Sequence, residues 1–463
     1  MKYRKINNIF FVGIGGIGMS GIAELLHEQG FNVSGSDIYE NENVKRLKRL
    51  GIKVSIGHSP KSISKIDLLV YSSAVPKENP EILTAKQKSI PVIRRAEMLG
   101  DLISLKETSI AVGGTHGKTT TSSIIGSMLA SANLDPTLIV GGLVKSINSN
   151  TKMGSGKIII VEADEYDRSF LALKPTIAII TNIELEHTDC YKNINELKDA
   201  FIQFARSIPF YGQLFICIDS PILNEISKHI ERPIVTYGFS DNAQYRAKNL
   251  SYNKNKSTYD VFYNSKKFGR ISINLPGEHN ILNSLVSLAL CNEMKVPSKK
   301  IKEGLSNYKG VRRRFEIKGT YNDITVVDDY AHHPTEVTAT LLAAKRGWQK
   351  RLVVAFQPHL YTRTLQFHKE FANSLLIADI IIITDIYPAR EEPIAGVSAR
   401  LIVDHLKKAK KENCIYIPDL NDLERELDKI IEPNDLFITI GAGTIWRYSD
   451  SYAQHLNRKY NYS

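Results

Sequence analysis

Short apolar runs alternate with longer amphipathic stretches along most of the chain, and three of these runs pass directly into a glycine-rich or polar turn. The three lie at residues 8–12, 109–112 and 323–327. Alternation of this kind is typical of βα units and predicts a mostly parallel sheet after each run. Further expected elements are helices over 17–29, 397–411 and 420–431 and strands at 32–36, 351–356, 379–384 and 435–440.

The middle of the chain departs from this pattern. Residues 245–275 alternate apolar and polar positions between turns rich in Asn, Ser and Lys, which predicts antiparallel strands. Gly277 then opens a helix rich in Leu and Ala that extends to about Met294. Together with a length of 463 residues, at about 150 residues per domain, this predicts three α/β domains at 1–106, 107–310 and 311–463.

Composition excludes several classes of protein. Hydrophobic residues make up 43% and charged residues 24%, which is ordinary for a globular chain and argues against general disorder. The net charge of +11 is spread as +6, +4 and +1 over the three expected domains, so no basic tail exists, and small anionic substrates are as compatible with it as polymers. No apolar run approaches the roughly 20 residues that span a bilayer. Four separated cysteines without a Cys-x-x-Cys pair suit a reducing compartment, and we expect a cytoplasmic protein.

A glycine-rich turn follows the first apolar run. Gly13, Gly15, Gly16 and Gly18 fit the G-x-G-x-x-G pattern, and Asp37 follows 19 residues later at the end of the next expected strand. Glycines allow backbone N–H groups to approach a diphosphate at a helix N-terminus, and the carboxylate can hold a ribose hydroxyl. An NAD-binding dehydrogenase, a nucleotide-sugar site and a turn without a ligand all satisfy this pattern, which cannot choose between them.

A second loop carries a stronger signal. It follows the run 109–112 and reads Gly114, Thr115, His116, Gly117, Lys118, Thr119, Thr120. The general phosphate loop needs a glycine at position 112, where valine stands, so this is a tighter G-x-x-G-K-T form. Successive N–H groups can still surround phosphate oxygens, Lys118 can reach the β- and γ-phosphates, and the Thr119 hydroxyl can reach Mg²⁺.

Two later strands end in possible metal ligands. The run 157–161 ends at Glu162, about 40 residues after the phosphate loop, where such ATPases place a carboxylate near Mg²⁺. The run 177–181 leads into a polar loop with His187. A lone histidine is more often structural, but its expected place at the carboxyl edge of a parallel sheet favours function. Asp164, Glu165 and Asp167 fit a solvated turn.

Three clusters nearer the C-terminus need an account. His279, Asn280 and Asn283 share one face of a helix start, where helix capping could occupy one of them. Arg314 closes a run of three arginines at an expected domain junction, which suits a phosphate clamp or a solvated surface. Asp328–Glu336 lies between a strand and a helix, and its adjacent histidines point in opposite directions, so we do not expect a shared metal site.

Taken together, these motifs resemble the Mur ligase family across the whole chain. The resemblance rests on the loop Gly114–Thr119, Glu162, His187, the cluster Gly277–Asn283, Arg314 and the segment Asp328–Glu336, together with Gly13–Gly21 and Gln357–Arg363. It implies a Rossmann-like N-terminal domain, a central P-loop ATPase-type domain with an antiparallel portion and a Rossmann-like C-terminal domain. It also implies that the first loop binds a UDP-sugar, with Ser72 and Ser73 as further candidate contacts.

The resemblance assigns roles to the remaining residues. It implies that Gly114–Thr120 holds ATP, with His279, Asn280, Asn283, Arg314 and Asp328 around the nucleotide. Thr119, Glu162 and His187 would hold Mg²⁺, and the candidate catalytic set is Lys118, Glu162, His187, His332 and Arg363. One departure concerns Leu360, which stands where this type of ligase often has arginine. If that side chain seats the amino acid carboxylate, Arg363 must do so here.

The implied function is a cytoplasmic ligase that uses ATP and Mg²⁺ to join L-alanine to UDP-N-acetylmuramate through an acyl phosphate. A recycling ligase that joins a ready-made peptide to the same sugar nucleotide is the close alternative. An NAD-dependent oxidoreductase and a nucleic-acid-binding ATPase are alternatives of other classes. We expect no nucleic-acid or membrane partner and a monomer or homodimer.

Overall fold

Three β-sheets organise the chain in a computed structural model that describes residues 6–186, 190–389, 391–409 and 413–461. The first sheet has five strands in the order β3-β2-β1-β4-β5, all parallel. Its strands are β1 (Asn8–Val12), β2 (Asn32–Asp37), β3 (Lys53–Ile56), β4 (Leu68–Tyr71) and β5 (Val92–Arg94), and its helices are α1 (Ile17–Glu28), α2 (Glu42–Arg49), α3 (Pro80–Gln87) and α4 (Arg95–Ile103). The central strand β1 is covered on both faces, and its residues Phe10, Phe11 and Val12 are all buried. This explains why its sequence is apolar without alternation.

The second sheet has ten strands in the order β15-β14-β13-β12-β11-β10-β6-β9-β7-β8. The strands are β6 (Thr108–Gly113), β7 (Thr137–Val144), β8 (Ser149–Lys152), β9 (Ile158–Ala163), β10 (Ile177–Ile180), β11 (Gln213–Cys217), β12 (Ile234–Gly238), β13 (Tyr245–Asn253), β14 (Lys256–Tyr263) and β15 (Lys266–Ile273). The accompanying helices are α5 (Lys118–Ser131), α6 (Ile194–Arg206), α7 (Pro221–Ser227), α8 (Glu278–Glu293) and α9 (Ser298–Ser306). A 3₁₀ segment, Tyr166–Ala172, follows β9.

Part of this sheet is antiparallel, which confirms the antiparallel strands that the alternating pattern at 245–275 predicts. Two-residue turns at 254–255 and 264–265 join β13, β14 and β15, and neighbouring strands joined so tightly must run in opposite directions. The pair β7 and β8 is also antiparallel. By contrast, β6 pairs in parallel with β9 and β10, so the loops after these three strands meet at one edge of the sheet.

The third sheet has six strands in the order β16-β17-β21-β18-β19-β20, and all its pairs are parallel except β16 with β17. Its strands are β16 (Glu316–Tyr321), β17 (Ile324–Asp329), β18 (Arg351–Phe356), β19 (Ile380–Ile383), β20 (Cys414–Tyr416) and β21 (Asp435–Ile440). Its helices are α10 (Pro334–Gly347), α11 (Tyr361–Leu375), α12 (Arg400–Lys408), α13 (Leu423–Ile430) and α14 (Trp446–Asn461). The helix predicted over 397–411 begins only at Arg400, and the last two residues of that prediction, 410 and 411, lie outside the described residues. The helix predicted over 420–431 begins as a 3₁₀ turn.

By packing, the chain forms two compact units, and their boundaries differ from the three expected domain ranges. The first unit contains residues 1–248, 261–269 and 282–309, and the second contains 249–260, 270–281 and 310–463. The boundaries near 106 and 310 therefore stay a prediction, while the three-part α/β architecture is confirmed. Within the described ranges, no helix is both long and apolar enough to cross a bilayer.

Candidate active site

The glycine loop of the first sheet is held by its own acidic residue. The Gly15 N–H donates to Asp37 Oδ2 at 2.7 Å, so Asp37 supports the loop from the end of β2. A Cβ atom on Gly15 would lie 2.9 Å from that oxygen, which is why a side chain there would displace it. Ser72 follows β4 and lies against Gly13, whose φ of +77° favours glycine. The candidate residues Gly13, Gly15, Asp37 and Ser72 thus share one edge of the sheet, and contact between Asp37 and a ribose stays a prediction.

The phosphate loop is held in place by the segment that follows β10. Asn182 Oδ1 accepts from the His116 N–H at 2.9 Å, and Asn182 Nδ2 donates to the His116 carbonyl at 3.0 Å. A Cβ atom on Gly114 would lie 2.3 Å from Thr181 Oγ1, so the loop packs too closely for any other residue. Gly117 caps α5 with a left-handed φ of +87°. The tight loop is therefore pre-formed, with its backbone fixed by the side chains of Thr181 and Asn182.

Lys118 forms a buried ion pair within this loop. Its Nζ lies 2.8 Å from Glu165 Oε2 and also donates to the Gly114 carbonyl at 2.8 Å. Burial lowers the pKa of Lys118, but the carboxylates of Glu165 and Asp164 outweigh that effect and raise it above its ordinary value. The side chain of Glu165 is only 1% exposed, so the solvated-turn interpretation is wrong for this residue. Lys118 therefore stays cationic, and a phosphate could replace the Glu165 carboxylate as its partner.

Thr119 and Glu162 lie together where a metal ion is expected. Glu162 Oε1 accepts from the Gly141 N–H at 2.7 Å, and the Thr119 hydroxyl lies near the same carboxylate. Burial raises the pKa of Glu162, and the Gly141 N–H and the Thr119 hydroxyl oppose the rise. A hydroxyl and a carboxylate are oxygen ligands of the kind that Mg²⁺ prefers, so the pair fits that ion. The third predicted ligand, His187, lies outside the described residues.

The candidate nucleotide contacts on α8 have different surroundings. Asn283 Oδ1 accepts from Thr121 Oγ1 at 3.1 Å and would lie 2.7 Å from a Cβ atom on Gly117, so it covers the phosphate loop. Asn280 instead donates to the Pro276 carbonyl at 2.7 Å, a bond that anchors the helix start. His279 lies close to Gly277 at the same helix start. Asn283 is thus brought to the loop, while ATP contacts by His279 and Asn280 stay predictions.

Arg313, which sequence reasoning passed over, organises the edge of the third sheet. Its Nε donates to Asp328 Oδ2 at 3.2 Å, its Nη2 donates to the Gly441 carbonyl, and its guanidinium lies 4.8 Å from the Tyr330 ring centroid. Asp328 is fully buried and also accepts from Thr439 Oγ1 at 2.8 Å. Burial raises the pKa of Asp328, and Arg313 opposes the rise. Asp328 therefore serves first as a structural anchor.

The neighbouring Arg314 is more accessible. Its Nη1 lies 3.6 Å from Glu336 Oε1, and a third of its side chain is exposed. The backbone N–H of His332 donates to Glu336 Oε2 at 3.0 Å, and the ring Nδ1 of His332 lies 3.3 Å from the same oxygen. His333 packs on the Phe367 ring at 5.0 Å, so the adjacent histidines point apart as expected. The predicted ATP and catalytic roles of Arg314 and His332 stay predictions.

The expected acceptor residues form a cluster at the start of α11. Arg363 Nη1 lies 3.2 Å from His359 Nδ1, and the His359 ring stacks on Tyr387 with centroids 5.8 Å apart. Between them, Leu360 has a φ of +71°, which is unusual for a residue with a side chain. Hydrogen bonds from the Leu360 N–H to the Tyr387 carbonyl and from Tyr387 N–H to the Pro358 carbonyl hold it there. Arg363 thus has a fixed neighbour in a strained turn.

Known proteins resemble this chain along its whole length. Family models match in succession, with the Mur ligase family catalytic domain over residues 8–107, the Mur ligase middle domain over 112–291 and the Mur ligase glutamate ligase domain over 313–443. The UDP-N-acetylmuramate–L-alanine ligase of Syntrophus aciditrophicus is 47% identical over 96% of this chain and 92% of that protein. The protein of the same name from Geotalea uraniireducens is 45% identical over 98% and 99%.

Solved structures agree with these sequence relatives. The UDP-N-acetylmuramate-alanine ligase of Thermotoga maritima superposes with a TM-score of 0.83 at 30% identity, covering 98% of this chain and 100% of that one. A murein peptide ligase from Psychrobacter arcticus superposes with a TM-score of 0.69 at 24% identity, covering 97% and 98%, a likeness of fold.

Proposed function

Because the chain belongs to the Mur ligase family, we propose that it joins L-alanine to the carboxylate of UDP-N-acetylmuramate and converts ATP to ADP and phosphate. The relatives at 43–47% identity, all named UDP-N-acetylmuramate–L-alanine ligase, support this choice of substrates. The observation that carries it is the phosphate loop itself, with Lys118, Thr119 and Glu162 converging in the same unit as the glycine loop Gly13–Gly18.

The residues of the site would contribute two things to the reaction, binding of the phosphates and neutralisation of their charge. Loop N–H groups and Lys118 would hold the β- and γ-phosphates, and Lys118 would leave Glu165 to do so. Thr119 and Glu162 would hold Mg²⁺, which when bound neutralises charge on the phosphate oxygens. The muramoyl carboxylate attacks the γ-phosphorus and ADP leaves, which gives an acyl phosphate. The uncharged amine of L-alanine then attacks the acyl carbon, and phosphate and a proton leave.

No protein nucleophile is required for these steps. The substrate carboxylate supplies the attacking oxygen, so the protein contributes alignment and preorganised charge. Arg363 beside His359 is a cation suited to the carboxylate of the incoming amino acid. The strained Leu360 backbone fixes the start of α11, from which Arg363 projects.

The experiment is a phosphate-release assay with protein, ATP, Mg²⁺ and UDP-N-acetylmuramate, with product mass determined for each acceptor. L-Alanine, glycine, L-serine and a tripeptide are compared at equal concentrations. We expect release and a product that contains L-alanine, with slower turnover of glycine and L-serine. Release that does not depend on an amino acid would refute the proposal, and preference for the tripeptide would replace it with peptide recycling.

A further inference from the structure

A partly buried arginine lies beside the glycine loop, and no partner for it is found among the described residues. Arg95 is the first residue of α4, and its Nη1 lies 3.1 Å from the position that a Cβ atom on Gly18 would occupy. Across the part of the chain that the structure describes, no hydrogen bond or ion pair engages the Arg95 guanidinium. A guanidinium has five donors, and partial burial without an acceptor is unfavourable unless a ligand supplies one.

Arg95 lies between the two candidate substrate loops. On one side it lines a cleft with Ser73, a predicted UDP-sugar contact, and Asp167. It also lines a second cleft with Glu162, near the end of β9, and Asp164, directly after that strand, where phosphoryl transfer is proposed. A ligand that reaches from the glycine loop toward Glu162 must therefore pass this guanidinium.

The same cleft contains a complementary unmet acceptor. Asp167 Oδ1 is buried and has no hydrogen-bond partner among the described residues. Asp167 and Arg168 both have left-handed backbone angles, with φ of +51° and +60°, so the segment after β9 is held in a strained turn. A cation that needs an anion and an acceptor that needs a donor thus line one cleft. A sugar with a carboxylate beside an amide N–H and a hydroxyl offers both groups.

We propose that Arg95 binds the carboxylate on the lactyl arm of UDP-N-acetylmuramate and aligns it for attack on the γ-phosphorus. This rests on the proposed function. The diphosphate is expected farther along the glycine loop, whereas the carboxylate is the part of the substrate that must reach the γ-phosphate near Glu162. Glycine at position 18 leaves room for the guanidinium to approach the start of α1, whose N-terminus adds favourable potential for an anion.

The test compares two ligands that differ in the lactyl arm. Calorimetry without ATP measures binding of UDP-N-acetylmuramate and of UDP-N-acetylglucosamine, which lacks the carboxylate, to the native protein and to Arg95→Gln and Arg95→Lys. We expect Arg95→Gln to weaken UDP-N-acetylmuramate binding at least tenfold and UDP-N-acetylglucosamine binding less than threefold. Arg95→Lys, which keeps the charge, should lose less. Arg49→Gln, on an exposed position of α2, is the matched control and should change neither affinity.

Each other outcome overturns the proposal. An equal loss for both ligands would assign Arg95 to the diphosphate, and no loss in either variant would remove it from the site. Thermal unfolding of the variants shows whether they are folded, and Arg95→Lys keeps the test valid if Arg95→Gln is unstable. If the native protein itself releases no phosphate with UDP-N-acetylmuramate and L-alanine, the proposed function fails instead.

Discussion

Lys118 Nζ lies 2.8 Å from Glu165 Oε2, and this carboxylate is almost completely shielded from water. The lysine expected to bind phosphate is therefore paired with a protein anion. Tyr191 anchors Glu165 in turn, because its hydroxyl donates to the backbone carbonyl of Glu165 at 2.7 Å. The pair gives the phosphate loop a defined structure, and in the proposed reaction an ATP phosphate would replace the carboxylate at Lys118 Nζ.

Removing one partner of this pair should cost more stability than removing both. Lys118→Met leaves Glu165 as an unpaired buried charge, and we expect a loss of about 3–5 kcal/mol in the free energy of unfolding. The double variant Lys118→Met with Glu165→Gln should recover most of that loss, while ATP turnover stays absent in both. UDP-sugar binding should be nearly unchanged. Chemical denaturation, phosphate release and calorimetry measure the three quantities. A double variant as unstable as Lys118→Met would contradict the interpretation.

Magnesium binding at Glu162 should compete with protonation of the carboxyl. Burial raises the pKa of Glu162 above its ordinary value, so this competition extends to higher pH than it would for an exposed glutamate. Mg²⁺ binds only the ionised form. We expect the increase in Tm at a fixed Mg²⁺ concentration to be large at pH 8 and to shrink toward pH 5.

Glu162→Gln should abolish the Mg²⁺-dependent increase in Tm at every pH. Glu107→Gln is the matched control, because Glu107 is exposed and pairs with a surface lysine, Lys157. An increase in Tm that survives in Glu162→Gln would place the ion elsewhere.

Substitutions of the two adjacent arginines should have different effects, one on stability and the other on ATP binding. Arg313→Lys loses the bonds to the Gly441 and Ala442 carbonyls and the contact with Tyr330, and we expect the protein to lose about 1–3 kcal/mol of stability. Arg314→Lys should change stability by less than about 1 kcal/mol, because its pair with Glu336 is partly exposed, and should raise the KM for ATP. The reverse assignment of the two effects would refute the roles given to them.

Asp329 should make the C-terminal part of the protein less stable as pH rises. Burial raises the pKa of Asp329 to about 6 from the ordinary 3.8, although Arg314 and two backbone N–H groups oppose the rise. Between these values the unfolded chain is ionised while the native protein keeps its proton, so stability falls as pH rises from about 4 to 6 and is then constant. A difference of this size corresponds to about 3 kcal/mol.

Urea unfolding followed by tryptophan fluorescence measures this dependence well. The two tryptophans of the chain, Trp348 and Trp446, both lie in the second unit, which contains Asp329. Asp329→Asn cannot titrate, and the fall between pH 4 and 6 should disappear. Asp323→Asn, an exposed control whose partner Lys350 lowers the pKa of the carboxyl, should keep it. An unchanged slope in Asp329→Asn would assign the titration to another group.

The sequence predicted what depends on local spacing. Glycines directly after a strand, a lysine at a helix start and a carboxylate at a strand end are fixed by chain neighbours, so the positions of Gly15, Lys118 and Glu162 in the fold could be predicted, while their roles stay predictions. The burial of Glu165 could not be predicted, because it stands among other acidic residues that suggest a solvated turn, and no residue pattern indicates the left-handed backbone angles that follow at Asp167 and Arg168. The sequence likewise could not indicate which of Arg313 and Arg314 pairs with Asp328. Their side-chain directions depend on the local backbone, which is left-handed at Arg313, with a φ of +61°.

The order in which the chain leaves the ribosome has a further consequence for how the two units form. Segments 249–260 and 270–281 belong to the second unit but are synthesised before residues 310–463, while the first unit is complete only at residue 309. Nascent protein therefore carries two segments that have their sheet partners in β12–β15 but lack the rest of the unit to which they belong. A truncated product ending near residue 309 should bind chaperones or aggregate, and a late stop codon would be more harmful than the folded size of the first unit suggests.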